Sequence, residues 1–149
     1  MDRPALDAQQ LAEACAKAMW AEDNASQGLG MRIDRVGPGE AVLSMPIRED
    51  MTNGHGNCHG GFIFTLADSA FAFACNAYDQ RTVAQHCAVS FIRPGKRGER
   101  LSAHAKERDR TGRSGIYDVT VTNEAGETVA EFRGHSREVP GTLLGQNKD

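Results

Sequence analysis

The amino-acid sequence predicts an α+β domain in which one antiparallel sheet wraps around one long buried helix. Three observations predict it. The stretch HGGFIFTLADSAFAFACN, residues 59 to 76, is apolar almost all round and reads as a helix buried on most sides. Four strand-like runs, separated by turn-forming segments, follow it. One hairpin and one amphipathic segment precede it. The order is therefore helix, two strands, long helix, four strands, and a single sheet packed on a single helix satisfies it.

The segment ALDAQQLAEACAKAMWAED sets Leu6, Leu11, Cys15, Ala18 and Met19 at helical spacing, which predicts an extra N-terminal helix within residues 1–22. GLGMRIDRVGPGEAVLSMPI then alternates around Gly37-Pro38-Gly39, a turn signal, and predicts a hairpin. REDMTNGHGNCHGG is polar and glycine-rich and reads as a loop. The long helix is expected over about 60–77. TVAQHCAVSFI, RLSAHAKER, GIYDVTVT and TVAEFRGHS follow as strands, divided by RPGKRGE, DRTGR and NEAGE. The tail, 140–149, is expected to be loose. Neither a repeat nor a linker divides the chain, so residues 1–149 read as one domain.

The chain has 149 residues, 40% of them hydrophobic, which is enough for one real core. A net charge of -3 argues against bulk nucleic-acid binding. The longest apolar run is broken by Asp68 and is short for a bilayer, so no membrane partner is expected. The N-terminus carries acids and no continuous apolar core of a secretory signal, so a cytoplasmic location is expected. Cys15, Cys58, Cys75 and Cys87 form no CxxC pair and are expected to stay reduced.

An ionisable acid in the middle of an apolar helix demands an account. Thr65, Asp68 and Ser69 are spaced i, i+3, i+4 and share a narrow polar stripe. Phe, Ala and Leu surround Asp68, so desolvation should raise its pKa unless donors compensate. An Asp bonded to a neighbouring loop would be the purely structural alternative, but carboxylates are seldom placed in such surroundings without a function. The helix opens on His59-Gly60-Gly61, where uncovered N–H groups and the positive end of the helix dipole can polarise a carbonyl. Eight residues separate Gly60 from Asp68, about 12 Å along one helix. One carbonyl cannot meet both in a single chain. Two such helices packed antiparallel across a two-fold axis would set Gly60 of one chain against Asp68 of the other, and would also cover the outer apolar face.

Other constellations weigh less. His55, Cys58 and His59 are ligand types, but their spacing matches no standard zinc pattern and no second cluster follows, so no metal is expected. GHGNCHG falls short of GxGxxG because its third glycine comes one place late. Cys58 and Cys75 have no evident base and read as packing residues. Arg93, Lys96, Arg97 and Arg100 cluster in one turn, and Lys106, Arg108, Arg110 and Arg113 around the next. Most read as solvated hairpin ends, although two adjacent basic turns could grip a polyphosphate.

NGHGNCHGGFIFTLADSAFAFACN, FIRPGKRGERLSAHA and GRSGIYDVTVTNEAGETVAEFRGHS resemble the hotdog-fold acyl-CoA thioesterases, nearest the hydroxyphenylacetyl-CoA thioesterases of phenylacetic acid degradation. The resemblance spans about residues 20–145 and includes GTLLG in the tail. It implies hydrolysis of phenylacetyl-CoA or a ring-hydroxylated relative, with no cofactor, by a homodimer assembling into a homotetramer. Medium-chain or other aryl acyl-CoAs, or an inert acyl-CoA binding module, are the alternatives. The resemblance implies that Asp68 is the catalytic nucleophile or general base and that the Gly60 N–H polarises the thioester carbonyl. Asn53 would position the thioester or water, and His59 would flank the site. Coenzyme A would contact Arg93, Pro94, Gly95, Lys96, Arg97 and Gly98 in one turn. It would also meet Thr111, Gly112, Arg113, Ser114 and Gly115 in the next, and His135 on the last strand. Some relatives carry Ser or Thr at the start of the strand after the helix. Here the residues are Val83, Ala84, Gln85 and His86, which leaves open which polar group near Gln85 or His86 assists Asp68.

Overall fold

The computed structural model describes residues 5–145. Helix α1 (Ala8–Glu22) leads through a short α2 (Asn24–Gly28) into the hairpin β1 (Arg32–Gly37) and β2 (Glu40–Pro46). A 3₁₀ turn at Glu49–Met51 and a loop precede α3 (Gly60–Cys75), and β3 (Thr82–Phe91), β4 (Arg100–Thr111), β5 (Ser114–Thr122) and β6 (Thr128–Glu138) follow. The strands form one six-stranded sheet in the order β1-β2-β4-β5-β6-β3, and every neighbouring pair is antiparallel. The expected α+β wrap of sheet around helix is what forms, with the extra N-terminal helix. Neither α2 nor the 3₁₀ turn was expected, because each is too short to carry a periodic pattern.

A capping box fixes the start of α1. The Asp7 carboxylate accepts the Gln10 N–H at 2.7 Å, and the Gln10 side chain accepts the Asp7 N–H. Its buried face is Ala12, Cys15 and Ala16, with Met19 and Trp20 half-buried against the core. Leu6, expected on that face, precedes the helix and is half exposed. Leu11 and Ala18 are only part-buried at the edge of the face. Trp20 meets Phe73 of α3 at 6.2 Å between ring centroids.

Helix α3 buries Ile63, Leu66, Ala67, Ala70, Phe71, Phe73 and Ala74. It packs on β2, β4 and β5. The alanines let the sheet approach closely, and Phe71 fills the remaining depth. Its ring sits on Gly134 of β6, where an added Cβ would meet the ring at 2.8 Å. The facing residues of β5, Gly115, Tyr117, Val119 and Val121, are all buried. α3 stops at Cys75 because Asn76 takes over the backbone: its amide donates to the Ala72 and Thr82 carbonyls and accepts the Thr82 N–H.

The tail is anchored where looseness was expected. Arg81 N–H donates to the Gly141 carbonyl at 3.0 Å, and Leu143 and Leu144 N–H groups both donate to the Asp79 carboxylate. Residues 146–149, also expected to be loose, lie outside the described residues. No helix among the described residues is long and apolar enough to cross a membrane.

Candidate active site

The loop before α3 is built around Asn53. Its side-chain oxygen accepts the N–H groups of His55 at 2.9 Å and Asn57 at 3.2 Å, folding the glycine-rich segment into a compact turn. His59 then acts as N-cap of α3, with Nδ1 accepting the Gly61 N–H at 3.0 Å. With Nδ1 accepting, any ring proton sits on Nε2. The cap consumes the second glycine's donor and leaves the first: among the described residues the Gly60 N–H has no hydrogen-bond partner. The ring of Phe91 rests on this glycine, since a Cβ at Gly60 would meet the ring at 2.9 Å. Gly60 is thus a glycine for packing as much as for helix geometry.

The same loop is stitched to the first basic turn. Cys58 N–H donates to the Gly95 carbonyl at 2.7 Å, and Asn57 bridges Lys96. Gly60, Asn53, Phe91, Arg93 and Pro94 consequently line one open cavity of about 360 Å³. Two cations of the first basic turn are occupied. Arg93 donates to the Thr128 carbonyl at 2.9 Å and lies 3.7 Å from Glu127, and Arg97 pairs with Glu49 at 3.5 Å. Both pairs are exposed, so a polyanion can compete for these arginines at small cost.

The other predicted contact residues lie elsewhere. Thr111, Ser114, Gly115 and His135 line a second cavity of about 200 Å³ together with Gln85 and Arg110. Gly112 and Arg113 form the exposed turn between β4 and β5 beside it. The two cavities have no lining residue in common. Strand β3 runs from one to the other, with Gln85 in the second and Phe91 in the first.

Asp68 sits eight residues beyond Gly60 on α3, half-buried. Burial pushes its carboxyl pKa above the usual carboxylate range. The rest of the polar stripe is committed elsewhere. Thr65 donates to the Gly61 carbonyl at 2.9 Å. Ser69 bonds Ser26 of α2 at 2.9 Å, and Ser26 donates to Asp23 at 2.7 Å. The polar group that reaches Asp68 from the neighbouring strand is Cys87, with Sγ 4.0 Å from Oδ1. Neither Gln85 nor His86 makes that contact: Gln85 faces the second cavity, and His86 packs edge-on to His135 at 5.4 Å. Strand alternation alone would have pointed to the wrong neighbour, because the β3–β6 register shifts between Ala84 and His86.

The cysteines are all free and unsuited to nucleophilic attack. Burial pushes Cys58 up to about 11 and Cys75 up to about 12, so neither supplies thiolate near neutrality. Among the described residues no three His, Cys, Asp or Glu side chains gather as metal ligands.

The arrangement offers a carboxylate of raised basicity and a free backbone donor on one helix, flanked by two grooves. Comparison with known proteins gives it a setting. Residues 55–130 match the thioesterase superfamily model. The chain is 42% identical over 131 residues to acyl-coenzyme A thioesterase PaaI of Escherichia coli, covering 88% of this chain and 94% of that protein. It is 30% identical over 123 residues to acyl-coenzyme A thioesterase 13 of Homo sapiens, covering 78% and 86%. The solved structure of E. coli PaaI, from the phenylacetic acid degradation operon, superposes with a TM-score of 0.90 at 40% identity, covering 91% of this chain and 99% of that one. Sequence and fold agree over nearly the whole length, and the chain belongs to the thioesterase superfamily, with the hotdog fold.

Proposed function

We propose that the protein hydrolyses the thioester of phenylacetyl-CoA, or of a ring-hydroxylated phenylacetyl-CoA, to the free acid and coenzyme A. The observation that carries this reading is the half-buried Asp68, its proton affinity raised by desolvation, on the helix whose first N–H stands free. Its identity to the E. coli thioesterase supports the substrate class. The thioester carbonyl accepts the Gly60 N–H, which stabilises negative charge as it develops on oxygen. Asp68 takes a proton from water, the resulting hydroxide bonds to the carbonyl carbon, and the carbon–sulfur bond breaks to release coenzyme A. Alternatively a carboxylate oxygen attacks the carbonyl carbon, the carbon–sulfur bond breaks to release coenzyme A and leave an anhydride, and water then hydrolyses the anhydride to the free acid and the Asp68 carboxylate. Single turnover in ¹⁸O-water tests for the second route, because label in the Asp68 carboxyl group arises only when water opens an anhydride at the Asp68 carbon. Asn53 positions the thioester or water, and His59 serves through its cap on α3.

The site is composite in this reading. Gly60 and Asp68 are about 12 Å apart along one helix, and the two cavities lie at opposite ends of β3. β3 has one neighbour in the sheet, β6, and leaves its other edge open. Val83, Phe91 and Ile92 on or beside it are 45%, 53% and 52% exposed. A second copy across a two-fold axis covers this edge and the flank of α3. It sets the Gly60 cavity of one chain toward Asp68 and the second cavity of the other, with coenzyme A spanning the basic turns. Homodimers then pair into a homotetramer working in the cytoplasm, without cofactor or metal.

Thiol release measured over a panel of phenylacetyl, hydroxyphenylacetyl, benzoyl and medium-chain acyl-CoAs tests the assignment. Preference for the arylacetyl thioesters is expected. A higher kcat/KM for the medium-chain members would transfer the function to them, and no release from any would leave a binding module.

A further inference from the structure

Asp68 has a single hydrogen-bonding contact among the described residues, the Cys87 thiol at 4.0 Å. Its two helical neighbours of the polar stripe are spent on Gly61 and on Ser26. We infer that Cys87 is the positioning partner of Asp68: its thiol, a long and weak donor, orients the carboxylate while leaving it basic. The inference rests on the catalytic reading of Asp68 and extends it to the neighbouring strand.

The chemistry of sulfur is what the position requires. A carboxylate that must accept a proton or attack a carbonyl loses basicity to every strong donor that holds it. A hydroxyl donates strongly, whereas a thiol donates weakly. Burial and the Asp68 charge both raise the Cys87 pKa, so the group stays protonated and donates to the ionised carboxylate. It is half-buried and packs against the core beside Val89, which holds its direction.

The remaining titratable groups around the pair do not compete for it. On α3, Cys75 is buried and its own thiol is turned to the Ala72 carbonyl. At the N-cap of α2, Asp23 is bonded to Ser26. On β4, Glu107 accepts the hydroxyls of Tyr78 and Tyr117. On β3 and β6, His86 and His135 pack against each other.

The test reads the carboxyl group directly. The ¹³C carboxyl signal of Asp68, identified by its loss in Asp68→Asn, is titrated in the wild type, in Cys87→Ser and in two donor-free variants, Cys87→Ala and Cys87→Val. Serine brings a stronger donor, toward which the half-exposed carboxylate can turn, and should lower the midpoint. Alanine and valine remove the donor and should raise it, by about half a pH unit. The acid limb of kcat/KM should move in the same order, so that activity one unit below the wild-type midpoint changes about threefold each way. A residue that merely fills space would leave the limb in place. Coincident midpoints, or serine above alanine and valine, would overturn the inference while leaving Asp68 catalytic. Full activity of Asp68→Asn would instead remove the catalytic reading on which it stands. Valine is somewhat larger than cysteine, so it removes the donor without opening a cavity even if alanine destabilises the fold.

Discussion

Strands β5 and β3 belong to one sheet and have opposite characters. β5 lies between β4 and β6 and alternates strictly, with Gly115, Tyr117, Val119 and Val121 buried. Its buried side chains meet α3, where Phe71 packs on Tyr117 at 5.6 Å between centroids. β3 is an edge strand whose ten residues include none that are buried, and only Cys87 and Val89 lean on the core. Yet β3 links both cavities and carries the side chain that touches Asp68. β5 is complete within the chain, so its residues answer for stability. β3 leaves one edge unpaired, and in the proposed composite site its residues serve assembly and chemistry. An open edge with exposed apolar side chains is a liability unless something covers it.

The greatest effect should come from the β3 side of the helix. Asp68→Asn should lower kcat by about a thousandfold or more while an unreactive acyl-CoA analogue still binds. The same variant should gain stability near neutral pH, and the sign follows from linkage. The folded-state pKa of Asp68 lies above the unfolded one, so between them the native state binds more protons and stability falls as pH rises. Above that window the ionised carboxylate is a standing cost, which the amide removes. A Tm above wild type at pH 7, with the gain vanishing toward acid, would mark a residue kept for function. A variant that is both active and less stable would make Asp68 a structural group.

Mixing two dead proteins distinguishes a strand finished by a partner from one finished alone. Asp68→Asn and Gly60→Pro, which lacks the N–H donor, are each expected to be inactive. In a mixed dimer one site combines both lesions and the other has neither. Subunit exchange should therefore restore activity toward about a quarter of wild type if chains assort at random. Circular dichroism and size-exclusion chromatography must first show that both variants fold and dimerise. Verified mixed dimers that remain inactive would place the site within one chain.

A pair of substitutions addresses the two strands themselves. Tyr117→Ala on β5 should cost about 3–5 kcal/mol of unfolding free energy, because it empties a filled core position and removes one of the two tyrosine hydroxyls that Glu107 accepts. Its Tm loss should persist at every protein concentration. Val83→Ala on β3 should change the monomer by no more than about 0.5 kcal/mol, and its Tm should fall only on dilution, as a partner dissociates. Equal, concentration-independent losses would erase the distinction.

The smallest effects should lie in the basic turns. Arg93→Ala and Arg113→Ala should each raise KM about three- to tenfold with kcat little changed, if they hold phosphates equally in ground and transition states. A pantetheine thioester, which lacks those phosphates, should not register the substitutions. Equal losses with both substrates would assign these arginines to the fold.

Periodicity made most of the architecture readable in advance. The apolar stretch at 59–76 could only be a covered helix, and the Gly- and Pro-rich breaks could only be turns, because local backbone preferences decide both. Asp68 and Gly60 stand out as candidates for the same reason: a charge in an apolar helix and glycines at its start are local anomalies. Leu6 was misplaced on the α1 face because a cap, not the apolar pattern, decides where that helix begins. The anchored tail was hidden because Asp79 reaches 64 residues along the chain to hold Leu143. Cys87 was hidden by a one-residue register shift in β3, which reverses the side chain facing α3 and has no signature in composition. So did the division of the basic residues between two cavities await the sheet order, since β3 lies beside β6 and not beside β2 or β4. Short-range energies are written in consecutive residues, whereas register, strand order and distant hydrogen bonds arise only when the whole core packs.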